Sequence, residues 1–210
     1  MKKMKSLLLV ALLLVGAGNV NAQSREKIRF GGEVGMTVNT IKDFEKGQDR
    51  KMGFDAGFRM DVNFTDNIYL GTGLQYMMKG VKVSGRGWDE KVTTGYLQIP
   101  IHIGYRYDFN ETIGIFGEFG PFLAVGVNGK TKYDEDGFSE DADFFGDPDD
   151  PNDEGWAKRF DMGLGLHVGC EIIQHWQVAL GYDWGLIKMN DGPGDKLRNG
   201  SLRLGLTYMF

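Results

Sequence analysis

Cysteine, proline and long apolar runs are what this chain has least of. Its one cysteine, Cys170, leaves no partner for an intramolecular disulfide, so no disulfide framework holds the fold. Only five prolines stand in 210 residues while aromatics make up 12%, which is not the profile of a disordered chain. Positive charge is also short: the formal net charge is −5, and three more negative once Lys2, Lys3 and Lys5 are set aside. That balance disfavours nucleic acid as a partner. Beyond residue 22 no apolar stretch approaches the ~20 residues of a membrane-crossing helix, and the mean hydropathy is −0.30. A transmembrane barrel escapes that last test, because only every second residue of its strands faces lipid. Glycine, by contrast, is abundant at 32 residues, about twice the usual ~7%.

The N-terminus carries Lys2, Lys3 and Lys5 ahead of an unbroken apolar run from Leu7 to Val15, then Gly16, Ala17, Gly18 and Val20-Asn21-Ala22. This is the pattern of a cleaved secretory signal peptide. Residues 1–22 are therefore read as a signal peptide, and 23–210 as one exported domain starting at Gln23. No cysteine stands near the cleavage site to take a lipid anchor.

Period-two alternation sets the fold class. In 53–64, Phe54, Ala56, Phe58, Met60, Val62 and Phe64 share one face, and Gly53, Asp55, Gly57, Arg59, Asp61 and Asn63 share the other. The same sorting recurs from Ile68, Leu97, Ile113, Phe160 and Trp176 onward and in the last stretch, Leu202 to Phe210; with Phe30, Val34, Met36 and Val38 this makes eight segments. The connections alternate between long (about 39–51, 79–92, 128–157 and 187–199) and short (around 65–67, 110–112 and 174–175). An all-β, antiparallel up-and-down transmembrane barrel of about eight strands, with its termini and short turns in the periplasm, predicts that rhythm.

Alternation leaves open which face points outward, because a soluble barrel would carry its apolar face inside. The polar face here is mainly glycine interspersed with acids and bases, which suits a narrow, self-paired interior. The apolar rows end in aromatics, with Phe64, Tyr107, Phe109, Trp176, Tyr208 and Phe210 on the turn side and Tyr182 and Trp184 on the loop side. Such girdles mark the two membrane interfaces. The expected location is the outer membrane, in contact with lipid and lipopolysaccharide. The final strand ends in Phe210, which resembles the signal read by the barrel assembly machinery.

Tyr96 before Leu97-Gln98-Ile99-Pro100-Ile101, the first strand Gly31-Gly32-Glu33-Val34-Gly35, and the ending Gly205-Leu206-Thr207-Tyr208-Met209-Phe210 together resemble the PorT-like outer-membrane barrel domain of Bacteroidetes. The resemblance spans residues 23–210 and rests on strand texture. It implies an outer-membrane barrel, and for some members a link to protein secretion. It brings no catalytic residue.

The inward face holds Glu33, Asp55, Arg59, Asp61, His102, Arg106, Glu118, Asp161, His167, Glu171, Asp183 and Arg203. Counted from the turns, His102, Glu118 and His167 sit at similar depth on neighbouring strands, which makes them the candidate metal set, although their spacing is not diagnostic. The expectation is a paired, closed polar plug with no metal, cofactor or catalytic residue. His175 falls in a turn and Cys170 on the lipid face, and there is no Gly-x-Ser-x-Gly, phosphate loop or zinc spacing; a surface-rim enzyme is the disfavoured alternative. The stretch 128–157 holds eleven acids, from Asp134 to Glu154, against Lys130 and Lys132; a divalent cation held there is one reading, and a solvated mobile loop is the simpler one. The sequence thus points to a closed barrel with a structural, adhesion or secretion-accessory role and an envelope or secretion partner protein. A narrow selective pore is the alternative.

Overall fold

Residues 25–42, 48–84, 88–110, 112–135, 138–145, 158–188 and 198–210 are described by a computed structural model. The segment 1–22, read as a signal peptide, lies outside the described residues. Nine strands follow in order: β1 (Ile28–Lys42), β2 (Gln48–Asn63), β3 (Ile68–Ser84), β4 (Trp88–Asp108), β5 (Ile113–Glu135), β6 (Phe138–Asp143), β7 (Phe160–Ile172), β8 (Trp176–Gly185) and β9 (Arg198–Met209). β1 to β5 pair antiparallel in sequence, as do β7 to β9, and β5 pairs with β7 and β9 with β1, so eight strands close a barrel. The remaining strand, β6, pairs among the described residues only with the outer end of β5, from Lys130↔Asp143 to Glu135↔Phe138.

Closure follows from the solvent. Lipid offers no hydrogen bond to an open strand edge, so a spanning sheet has to meet itself. The β1–β9 ladder runs from Gly31↔Met209 to Lys42↔Arg198. The alternation then sorts side chains as expected: Val34, Met36, Phe54, Phe58, Leu74, Ile103, Phe119, Val168, Leu180 and Leu204 are exposed on the outside. Glu33, Asp55, Asp61, Gln98, His102, Arg106, Glu118, Glu171 and Arg203 are buried inside. An apolar exterior around a polar, buried interior is the inverse of a soluble barrel and places the outer face in lipid. On the turn side girdle rings pack together, Trp176 and Tyr208 4.7 Å apart and Tyr208 and Phe210 5.7 Å apart.

Glycine makes the interior narrow. A Cβ on Gly181 would lie 2.1 Å from the His167 ring, and one on Gly163 2.0 Å from the Trp184 carbonyl oxygen and 2.5 Å from the Phe122 ring. His167 and Phe122 lie over the paired strand only because their partners there, Gly181 and Gly163, carry no side chain.

The strands run longer than the alternation indicates, which corrects the loop boundaries. Segments 39–42, 48–51, 79–84 and 88–92 are strand, and so are 128–135 and 138–143 within the stretch read as a mobile loop. A barrel strand needs about 9–11 residues to cross the bilayer, whereas β5 has 23, so its outer half stands clear of lipid. There the backbone ladder continues without a lipid-facing row to reveal it. Phe144 and Phe145 follow β6 and turn into the barrel mouth, packing with Val92, Tyr96, Phe122 and Ala124 as a buried apolar cluster. Of the eleven acids, Asp136, Asp147, Asp149, Asp150, Asp153 and Glu154 lie outside the described residues.

Candidate functional site

The interior is a stack of ion pairs that begins at the periplasmic mouth. Glu171 of β7 receives Arg25 from ahead of β1, Arg29 of β1 (3.2 Å), Gln177 Nε2 of β8 (2.8 Å) and, at 3.4 Å, the Arg106 Nε of β4. Arg25 also reaches Asp108 at 2.7 Å. Burial works against the Arg25 guanidinium, but the Glu171 and Asp108 carboxylates outweigh it and raise its pKa. Arg106 turns its Nη2 to Asp61 (3.0 Å) and lies over the Tyr69 ring, 4.4 Å from its centre. Asp61 accepts a second bond from Arg59 Nε (2.9 Å), and Arg59 grips both oxygens of Glu118 at 3.1 and 2.6 Å.

Glu118 is the hub. Besides Arg59 it accepts Tyr69 Oη on Oε2 (3.1 Å), while His167 Nδ1 and His102 Nδ1 stand 3.3 and 3.5 Å from Oε1. The second nitrogen of His167 meets Asp183 Oδ1 at 3.1 Å, and Gln98 Nε2 donates to the other Asp183 oxygen at 3.2 Å. The two imidazoles pack edge to face, 4.9 Å between centres. Register explains the meeting: Glu118 is paired with His167 across β5–β7 and with Gly104 across β4–β5. His102 is two residues before Gly104, so it points to the same side. One donor atom each from His102, Glu118 and His167 fall within 4.8 Å of one another, all three residues buried.

Nearer the extracellular end, Arg203 of β9 binds Asp55 at 2.5 and 2.9 Å and Glu33 at 3.2 Å, and Gln75 Nε2 donates to Glu33 at 2.5 Å. Above that, Lys79 lies 3.7 Å from Asp161, which also accepts Asn199 Nδ2 at 2.8 Å. Lys79 is capped by the Tyr96 and Phe122 rings, 4.9 and 5.3 Å away. Every inward ionisable residue expected from the alternation is buried here. Arg29, Tyr69 and Lys79 were missed. Lys79 continues the inward series Gln75, Met77, Lys79 but is preceded by two methionines, and Arg29 sits among the charges of 25–27. His175 is exposed in the turn and Cys170 is exposed on the lipid side, both as expected.

The description "Outer membrane protein beta-barrel domain" belongs to a family that matches residues 21–191. The chain belongs to this family. It is accordingly a small outer-membrane β-barrel whose apolar belt sits in outer-membrane lipid. Solved structures similar to it include Ail, the attachment invasion locus protein of Yersinia pestis (16% identity, 87% of this chain and 98% of that chain, TM-score 0.42). Neisserial surface protein A (13%, 88% and 98%, 0.45) and OprG of Pseudomonas aeruginosa (14%, 87% and 94%, 0.43) are others. No curated protein matches the sequence.

Proposed function

We propose that this protein is a closed barrel with a structural, adhesion or secretion-accessory role in the envelope, and that it neither conducts solutes nor catalyses a reaction. The filled lumen carries this reading. Arg106, Tyr69, Gln98, His102, Glu118, Phe122 and Arg203 are buried side chains reaching inward from β3, β4, β5 and β9, and they are tied to one another or to their neighbours from mouth to mouth. An eight-strand barrel is only just wide enough for side chains to fill it, whereas general porins use about 16–18 strands. Opening a channel would separate buried ion pairs, at roughly 3–5 kcal/mol for each partner stranded.

The long β4–β5–β6 extension supplies a surface for a partner, and the PorT-like texture of the Tyr96–Ile101 segment favours the secretion-accessory form of the role. Lipopolysaccharide around the belt and the barrel assembly machinery during biogenesis are the other partners of this reading. The histidines do not suit rim catalysis, since His102 and His167 are buried at mid-depth and His175 lies in a turn at the other end.

Purified folded protein in planar bilayers should show no sustained current above the bare membrane. Steady, reproducible single-channel steps would replace the closed barrel with the narrow selective pore. Recovery of a stoichiometric envelope protein from detergent-solubilised outer membrane would mark the secretion-accessory role, and its absence the solitary structural one.

A further inference from the structure

We propose that the folded lumen holds one first-row divalent cation of the zinc type between His102, Glu118 and His167. The site stands whether or not the barrel conducts; only its loading during folding rests on the closed lumen. Two imidazoles and a carboxylate form a donor set that suits zinc and its neighbours in the transition series and is too rich in nitrogen for calcium or magnesium. Three adjacent strands deliver it, and one donor atom from each residue falls within 4.8 Å of the others. Glu118 Oε1 lies 3.3 Å from His167 Nδ1 and 3.5 Å from His102 Nδ1. Adjacent ligands bound at about 2.0–2.2 Å to one ion stand roughly 3–3.5 Å apart, so two of the three separations already fit. The third closes by turning His102, whose buried Nε2 has no hydrogen-bond partner to pin the ring.

The surroundings are those of a supported site. Metal-bound imidazoles usually donate their other nitrogen to a carboxylate, which fixes the tautomer and aims the lone pair. His167 Nε2 does this to Asp183 Oδ1, which accepts it at 3.1 Å. Glu118 is held from behind by Arg59 and Tyr69 on Oε2, at 2.6 and 3.1 Å, and Arg59 also touches Oε1 at 3.1 Å. A carboxylate aimed in this way can serve an ion through Oε1.

Among the described residues, seven carboxylates are buried (Glu33, Asp55, Asp61, Glu118, Asp161, Glu171, Asp183) against the five cations Arg29, Arg59, Lys79, Arg106 and Arg203. Arg25, reaching in from the mouth, makes six and leaves the lumen one positive charge short. A buried negative excess is costly, and either one ring proton or a metal ion relieves it, so the donor geometry alone selects the ion. With both nitrogens of His167 facing carboxylates, an ion at Oε1 takes the place of the ring proton there, which leaves to solvent.

The closed lumen implies that the ion enters as the barrel folds. Protein extracted from the outer membrane, and protein refolded from denaturant with Zn²⁺, should each hold about one ion per chain by elemental analysis, the stoichiometry of a single closed site. Refolding with Co²⁺ as probe should give the visible absorption of an ion bound by nitrogen and oxygen. His102→Gln and His167→Gln should lose the ion and the absorption, and His175→Gln should keep both; folded state is read from the gel shift on boiling. If the two lumen variants fail to fold, Asp183→Asn, which removes only support, should bind the ion about 10–100-fold more weakly. Folded wild-type protein with far less than one ion per chain after both preparations would overturn the site, in favour of protonated imidazoles. So would a cobalt signal unchanged in the lumen variants.

Discussion

Leu204 and Arg203 are neighbours in β9 that meet opposite surroundings: Leu204 is 54% exposed to the lipid side, while Arg203 is 3% exposed among Asp55 and Glu33. Leu204→Arg places a charge in hydrocarbon, at about 2–4 kcal/mol near the bilayer midplane. Arg203→Leu strands two buried carboxylates, at about 3–5 kcal/mol. The sizes overlap, so a double substitution separates the causes. Adding Asp55→Asn should recover part of the stability lost in Arg203→Leu and none of that lost in Leu204→Arg, measured by urea unfolding in lipid vesicles. Equal recovery in both backgrounds would contradict the facing of β9. Ile173 makes a second test at this scale. It is a β-branched residue at φ 52° in the turn between β7 and β8, where Gln174 follows at φ 59°. Left-handed backbone costs an ordinary L-residue roughly 1–2 kcal/mol, and asparagine tolerates it better. The Ile173 side chain is exposed, so Ile173→Asn loses little packing and should raise unfolding stability by about 1 kcal/mol; a destabilised variant would mean that Ile173 is needed in the lower girdle.

Strands were legible in the sequence where lipid lies on one side and a crowded lumen on the other, because each side accepts a different chemistry. Gly53–Phe64 and Phe160–Ile172 alternate through their full length, and their facing is as read. Beyond the bilayer the exterior is water, and the ladder no longer needs an apolar row. Lys79 to Ser84 and Asn128 to Glu135 therefore look like loop in the sequence yet pair in register, Lys79↔Thr94 through Ser84↔Asp89 and Gly95↔Asn128 through Trp88↔Glu135. The same reason hid Lys79 from the interior. The convergence of His102, Glu118 and His167 was readable, since depth counted from tight turns becomes register once strands pair. Which atoms meet was not, because Asp183 and Arg59 steer the rings and the carboxylate from strands that no sequence spacing relates to them. The bulge between Gly95 and Tyr96 is equally silent in the sequence.

For the whole molecule, closure rests on β9, which is hydrogen-bonded on both sides, to β1 from Gly31↔Met209 to Lys42↔Arg198 and to β8 from Trp176↔Tyr208 to Trp184↔Gly200. It also brings Arg203 to Asp55 and Glu33, Ser201 to Asn39 and Asn199 to Asp161, so the polar interior needs it as much as the backbone does. Without β9 the facing edges of β1 and β8 would carry unpaired backbone groups in lipid, each costing several kcal/mol, and Asp55 and Glu33 would lose their cation. The complete chain, kept unboiled in detergent, should migrate differently from the boiled chain, because a closed ladder resists unfolding by the detergent. A chain ending before Arg198 should migrate the same way boiled and unboiled, and should be digested throughout by protease in vesicles that protect the complete barrel. A truncated chain that still shifts on boiling would mean that β1 and β8 can seal directly, and would remove β9 from its place as the closing strand.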